Sequence, residues 1–152
     1  MDEFCLARFF DAQQQWYAIA LREIRAGRKR THWVWFVFPQ LKGLGISANA
    51  EKYGLSGLAE ARAYLADAVL GPRLREATAA MLAHRATGAS AVLGELDALK
   101  FRSCLTLFAL ADPAEPLFAA ALTDLFGGER DARTLELLGM QEQAGPRHGQ
   151  GA

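Results

Sequence analysis

The residues of this chain best suited to chemistry are concentrated in one segment, THWVWFVFPQLKGLGIS. Trp33 and Trp35 offer aromatic surface on which a flat ligand could stack. Gln40 and Ser47 supply hydrogen-bonding groups, and a few polar groups on a mostly apolar wall are typical of small-molecule pockets. His32 is a candidate general acid or base because its pKa lies near neutral pH, and the alternative is a hydrogen-bonded structural histidine.

A second set of polar residues follows the pattern Asp97-x-x-Lys100-x-x-Ser103-x-x-Thr106. Residues three or four positions apart share one face of a helix, so Asp97, Lys100 and Ser103 are expected to lie together. Asp97 is also suited to cap the start of that helix. Three roles are open for Lys100: a structural ion pair with Asp97, a contact to a phosphate or carboxylate, and activation of Ser103 as a nucleophile.

The glycines between these two sets predict a tight turn rather than a nucleotide-binding loop. Gly43 and Gly45 lack the preceding strand, the third glycine and the later acidic residue of a dinucleotide fingerprint. They join the predicted ligand site together with Tyr53, which follows the turn. The basic cluster at Arg28 to Arg30 either offsets the partial charge of a helix C-terminus or forms the rim of an anion site.

Composition limits the classes of function. The chain has 152 residues, with 17 Lys plus Arg and 17 Asp plus Glu, and this balance argues against a protein that binds nucleic acid through a basic surface. Two cysteines and three scattered histidines predict neither a disulfide framework nor a metal site, and no cofactor motif is present. No apolar run is long enough to span a membrane. We expect a cytoplasmic monomer.

Apolar periodicity predicts an all-α fold, a compact single-domain bundle of about six to seven helices. The His32–Phe38 run has strand-like residues, but no partner strand is evident, so a short buried helix is favoured. The domain is expected to cover residues 1–139, and residues 140–152 are predicted to be a disordered tail. The other predicted helices cover residues 4–26, 56–67, 72–87, 97–110, 117–126 and 131–138, and a loop is predicted over 42–50.

Several motifs in order resemble the bacterial and fungal family known as domain of unknown function 1810, sometimes mislabelled calpastatin in bacterial genomes. The resemblance covers about residues 4–138. Its principal motifs are His32-Trp-x-Trp-Phe-x-Phe-Pro-Gln40, Gly43-Leu-Gly45-x-Ser47, Asp97-x-x-Lys100-x-x-Ser103-x-x-Thr106 and Gly128-x-x-Asp131-x-x-Thr134. It implies a mainly helical domain and no known reaction. Cys104 departs from a second serine that the family favours.

These observations predict a cleft between the aromatic block, residues 32–47, and the helix over 97–110. The cleft would bind a small anionic ligand that is nucleotide-like or otherwise phosphorylated, with His32 and Lys100 as the candidate catalytic residues. A remote similarity to small helical domains that act on ADP-ribose conjugates adds the hypothesis of hydrolysis, by analogy only. The alternative hypothesis is a non-enzymatic interaction module that uses exposed Trp and Phe side chains of the block.

Overall fold

The structure, a computed structural model of the chain, describes residues 3–144, with side chains through residue 141. Every regular element within this range is a helix, which confirms the all-α prediction. The helices are α1 (Ala7–Ala26), α2 (Val34–Val37), α3 (Ala48–Tyr53), α4 (Leu58–Ala66), α5 (Leu70–Leu82), α6 (Ala89–Leu93), α7 (Glu95–Ala111), α8 (Pro116–Phe126) and α9 (Ala132–Ala144).

Helix α7 is the centre of the bundle and packs against α4, α6 and α8. Its middle is apolar on nearly every side, and Phe101, Leu105 and Phe108 are fully buried. A helix that is apolar all round has to be surrounded by others, because any exposed face would leave hydrocarbon in water. The polar residues near the start of α7 are therefore held on a rigid support.

Helix α1 presents one face to the core and ends at Gly27, whose φ of 82° is the left-handed conformation that favours glycine. Gln13 is buried on that face, and its Nε2 donates to the Phe36 carbonyl at 2.6 Å and to the Tyr64 hydroxyl at 3.0 Å. A buried amide needs such partners to offset its loss of water. Gln13 thereby ties α2 to α1 and α4.

The aromatic block adopts the predicted short buried helix, α2, rather than a strand. Trp33 and Phe38 are fully buried, and the ring centroids of Phe38 and Phe101 lie 4.3 Å apart. After α2, Leu41 forms a parallel bridge with Leu55. The Lys42 N–H donates to the Leu55 carbonyl at 2.7 Å, and this bond fixes both ends of the segment that contains the glycine turn and α3.

Several boundaries differ from the sequence-based expectations, and the helix predicted over 72–87 is α5, Leu70–Leu82. The predicted loop over 42–50 gives way at Ala48 to α3, which periodicity cannot detect in so short a helix. Helix α7 begins at Glu95 with Gly94 at its N-cap, so Asp97 lies in the first turn and does not cap the helix. Helix α9 continues to Ala144, beyond the predicted end at residue 138.

The predicted tail, residues 140–152, overlaps α9 as far as Ala144, and its remainder lies outside the described residues. Between residues 3 and 144, no helix is long and apolar enough to cross a membrane.

Candidate functional site

A cleft of about 450 Å³ lies between the segment after α2 and the exposed side of α7. This volume falls within the range of small-molecule sites. We call it the α2–α7 cleft. Its walls are formed by Trp35, Gln40, Leu44, Gly45, Ile46, Ser47, Ala50, Leu99, Lys100, Ser103, Asp131 and Arg133.

Helix α7 contributes Leu99, Lys100 and Ser103 to one wall. Lys100 Nζ donates to Asp97 Oδ1 at 3.3 Å. The second oxygen of Asp97 lies 2.7 Å from Nζ of Lys29, whose side chain is only 7% exposed. Asp97 is thus shared by two lysines, and the shorter contact belongs to Lys29. Lys100 is the less firmly held of the two, and it lines the cleft.

The opposite wall is the loop between α2 and α3. Ser47 caps α3, because its Oγ accepts from the Ala50 N–H at 3.1 Å. Gly45 packs closely against this cap: a Cβ added to it would lie 3.0 Å from Cβ of Ala50. Gly43 has a φ of 100°, so the turn requires a residue without a side chain at that point. These restraints hold the loop against the start of α3.

The third wall is the start of α9, where Asp131 and Arg133 enter the cleft. Asp131 Oδ2 accepts from the Thr134 N–H at 2.8 Å and from the Thr134 hydroxyl at 2.7 Å, so Asp131 caps the start of α9. The Asp131 N–H donates to Thr106 Oγ1 at 2.9 Å. Thr106 is fully buried, so α7 fixes the position of Asp131 from below.

The guanidinium of Arg102 lies behind this wall. Its Nη1 lies 3.2 Å from Glu129, and its Nη2 lies 3.8 Å from Asp131 Oδ1. The second distance exceeds that of a hydrogen bond. Oδ1 of Asp131 therefore keeps acceptor capacity.

The whole arrangement can bind an anion beside an apolar ring. Lys100 and Arg133 supply positive charge, Ser47, Ser103 and Gln40 supply hydrogen-bonding groups, and Trp35 is partly exposed. The Ser103 hydroxyl donates to the Leu99 carbonyl at 3.1 Å, so it can still accept a hydrogen bond. No group of three or more His, Cys, Asp or Glu side chains that could hold a metal ion occurs among the described residues.

Comparison with known proteins assigns the chain to a family. The model described as "Protein of unknown function (DUF1810)" matches residues 3–138. The chain belongs to this family.

Among solved structures, this DUF1810 chain is similar to the conserved hypothetical protein Rv1873 from Mycobacterium tuberculosis. The two share 48% identity, with a TM-score of 0.88, over 91% of this chain and 99% of that chain. No curated protein matches the chain. The two chains share one fold, and neither the description of the family nor that of the solved structure states an activity.

Six of the residues predicted for the ligand site line the cleft of this DUF1810 protein, and these are Trp35, Gln40, Gly45, Ser47, Lys100 and Ser103. The others are not among the lining residues. His32 is exposed on the surface, and Tyr53 is buried with its ring centroid 5.2 Å from that of Phe36. Gly43 forms the turn beside the cleft, while Asp97 and Thr106 hold lining residues in place.

Trp33 belongs to a separate buried cluster around Glu23. The Glu23 carboxylate accepts hydrogen bonds from the Trp33 indole at 2.9 Å, from the Thr31 hydroxyl at 2.8 Å, and from the N–H groups of Thr31 and Arg30. Burial by itself raises the pKa of Glu23, but these four hydrogen bonds outweigh it and lower the pKa to about 2. Trp33 is therefore occupied as a donor within the fold.

Cys104, the departure from the family pattern, lies on the buried side of α7. It is fully buried, and burial raises the pKa of its thiol well above the usual value. A protonated, inaccessible thiol is neither a nucleophile nor a metal ligand. The side chain acts as a small apolar group in the core.

The sequence analysis missed six lining residues, Leu44, Ile46, Ala50, Leu99, Asp131 and Arg133. Asp131 belongs to a motif with Thr134, and its role as a helix cap gives no sign in the sequence that it also lines a cleft. The fully exposed Ile46 and the half-exposed Leu99 carried a weak signal, since both are large apolar residues that the core does not use. Arg133 had no signal in the sequence.

Proposed function

We propose that this DUF1810 protein binds a nucleotide-like or otherwise phosphorylated small molecule in the α2–α7 cleft. The observation that carries the proposal is the convergence of three separate chain segments on one cavity with two cations and a partly exposed indole. In this arrangement Lys100 and Arg133 contact the anion. Trp35 and Leu44 pack against the rest of the ligand.

The proposal is for binding rather than turnover. His32, the predicted general acid or base, is exposed and is not among the cleft residues. Lys100 donates to Asp97, and the Ser103 hydroxyl donates to a helix carbonyl, so neither is arranged as an activated nucleophile and base. Hydrolysis of ADP-ribose-like conjugates has no support from these contacts.

The test is a thermal-shift panel of nucleotides, ADP-ribose, NAD and sugar phosphates on the wild-type chain and on Lys100→Ala. A ligand at a hundred times its Kd stabilises the folded state by about 2.7 kcal/mol, which is easily measured. We expect one class of phosphorylated ligand to raise the melting temperature, and Lys100→Ala to abolish the rise. Lys42→Ala is the matched control, because it removes the same charge from an exposed residue beside the cleft.

A panel without any shift, on protein that melts cooperatively, would refute ligand binding by the cleft. A shift that survives Lys100→Ala and is lost in Lys42→Ala would place the anion elsewhere. His32→Ala belongs in the same experiment, and we expect it to behave as the wild type.

A protein partner is the second candidate function, but it needs different residues from those first expected. Trp33, Phe36 and Phe38 are buried, so the aromatic block cannot grip a partner as an exposed patch. Three aliphatic side chains near the cleft are exposed instead: Ile46 at 97%, Leu96 at 74% and Leu99 at 50%. A Leu96→Ser variant would weaken a partner that docks there and would leave ligand-induced stabilisation in place, because Leu96 is exposed and is not among the cleft-lining residues.

A further inference from the structure

The charges that line the α2–α7 cleft limit which anion it can hold. Its walls carry two cations, Lys100 and Arg133, and one carboxylate, Asp131. The neighbouring cations are already committed, since Lys29 pairs with Asp97, and Arg102 lies against Glu129 and Asp131. Among the residues that the structure describes, only Lys100 and Arg133 are therefore placed to meet the charge of a ligand.

Both of these cations can change partner at little cost. Lys100 leaves Asp97 without stranding it, because Lys29 remains 2.7 Å from the other carboxylate oxygen. Arg133 pairs with Glu136 across one helical turn, and both side chains are more than half exposed. Exposed ion pairs of this kind contribute little stability and exchange readily with water or a ligand.

A phosphomonoester matches this pair of cations. It carries a charge of about −1.5 to −2 at neutral pH, which both cations together neutralise. Each further phosphate would add negative charge beside Asp131, where no uncommitted cation lines the wall.

Asp131 adds a second requirement. Its Oδ2 is occupied by Thr134, whereas Oδ1 has only the Arg102 guanidinium at 3.8 Å. A carboxylate oxygen with open lone pairs in a cleft accepts a hydrogen bond from a hydroxyl group and repels an anion. The ligand is therefore expected to carry a hydroxyl group close to its phosphate.

We infer that the α2–α7 cleft selects a phosphomonoester on a hydroxylated sugar, with the phosphate between Lys100 and Arg133 and a sugar hydroxyl donating to Asp131 Oδ1. This inference rests on the proposed function and names its ligand class. Two kinds of ligand carry a pentose 5-phosphate and fit this description: a free sugar phosphate and a nucleoside monophosphate. Partly exposed Trp35 supplies a surface for a base, which favours the nucleoside monophosphate.

Isothermal titration with ribose 5-phosphate, AMP, ADP and ATP tests the inference at fixed ionic strength, without added metal. We expect AMP to bind about tenfold or more tightly than ADP or ATP, and ribose 5-phosphate to bind more weakly than AMP. Tighter binding of ADP or ATP would overturn the inference and leave the proposed function intact. If none of the four compounds binds, both the inference and the proposed function are refuted for this class of ligand.

The role of Asp131 is tested on the ligand, because Asp131→Asn also disturbs the cap of α9. We expect the loss of one ribose hydroxyl, in 2′-deoxy-AMP or 3′-deoxy-AMP, to weaken binding by about tenfold on the intact protein. Equal affinity for AMP and both deoxy analogues would overturn the hydroxyl contact. Arg133→Ala should weaken AMP binding by about tenfold, and the exposed Arg22→Ala serves as its charge-matched control.

Discussion

Trp33 and Trp35 stand two positions apart in the same short segment, and the structure gives them opposite surroundings. Trp33 is fully buried, and its indole donates to Glu23 at 2.9 Å, with the Lys29 ammonium 5.3 Å from its ring centroid. Trp35 is partly exposed and forms part of the α2–α7 cleft. The first stabilises the fold, and the second is available to a ligand.

The difference follows from the place of each residue on α2. Trp33 is the N-cap, with a non-helical backbone, and of the four residues of the helix Trp35 is the one that is not buried. The buried residues of α2 pack in the core, whereas Trp35 lines the α2–α7 cleft. Two residues of the same type and in the same motif can thus serve separate purposes.

The largest effect is expected at Trp33. Trp33→Ala should lower the free energy of unfolding by about 3–5 kcal/mol, because it leaves a cavity and removes a donor to Glu23. Urea denaturation at neutral pH measures this loss. Trp35→Ala is the matched control and should cost clearly less, and equal losses would contradict the contrast between the two residues.

The dependence of stability on pH tests the role of Glu23 in the buried cluster around Trp33. The ordinary pKa of 4.5 falls to about 2 in the folded chain, so the unfolded chain binds this proton more readily. The stabilisation is complete above about pH 4.5 and is lost as the pH falls towards 2. Glu23→Gln should lower stability at neutral pH by about 1–3 kcal/mol, since neutral hydrogen bonds replace charge-assisted ones.

The measurement for Glu23 is the melting temperature from pH 7 to pH 2. Glu23→Gln should flatten the acid part of this profile, and the exposed Glu136→Gln should leave it unchanged. An unaltered profile in Glu23→Gln would show that the carboxylate titrates alike in the folded and unfolded chains.

Lys29 and Lys100 share Asp97, and replacing each in turn compares the buried cluster around Trp33 with the α2–α7 cleft by the stability that is lost. Lys29→Ala should cost about 1.5 kcal/mol, because its ammonium is buried against Asp97 and the Trp33 ring. Lys100→Ala should cost less than about 1 kcal/mol, as expected for a partly exposed pair. Chemical denaturation of the two variants compares these values, and a reversed order would mean that Lys100 holds the fold.

The smallest change in stability is expected for Trp35→Phe. This substitution keeps an apolar ring at the cleft wall, so the free energy of unfolding should change by less than about 1 kcal/mol. Binding of AMP should weaken, because a smaller ring offers less stacking surface. Titration calorimetry measures this directly, and unchanged affinity would remove Trp35 from the ligand site.

The sequence predicted the helical fold well where helices are long. Apolar residues repeat with helical spacing in α1, α7 and α8, and the glycines after α1 and α8 mark their ends. The sequence-based prediction failed at α3, because six residues are too few to show the helical repeat of apolar side chains. Its capping serine, Ser47, was therefore first interpreted only as a ligand group.

The candidate site was predicted in part, and the errors have a common cause. Residues such as Lys100, Ser103 and Trp35 were found because they are polar or aromatic in an otherwise apolar setting. The same criterion selected Trp33 and Tyr53, which the fold uses in its core. Residue type alone does not distinguish a side chain that is buried and hydrogen-bonded within the fold from one that is available to a ligand.

The amino-acid sequence by itself determined that the chain is helical and that Asp97 and Lys100 lie on one helical face. These are local properties, which spacing and side-chain chemistry fix within a few residues. Only the tertiary structure decided that Lys29 forms an ion pair with Asp97. It also decided that Asp131 and Arg133 line the cleft together with Lys100, and that His32 is exposed outside it. Those contacts join positions far apart in the chain, and they depend on how the helices pack around α7.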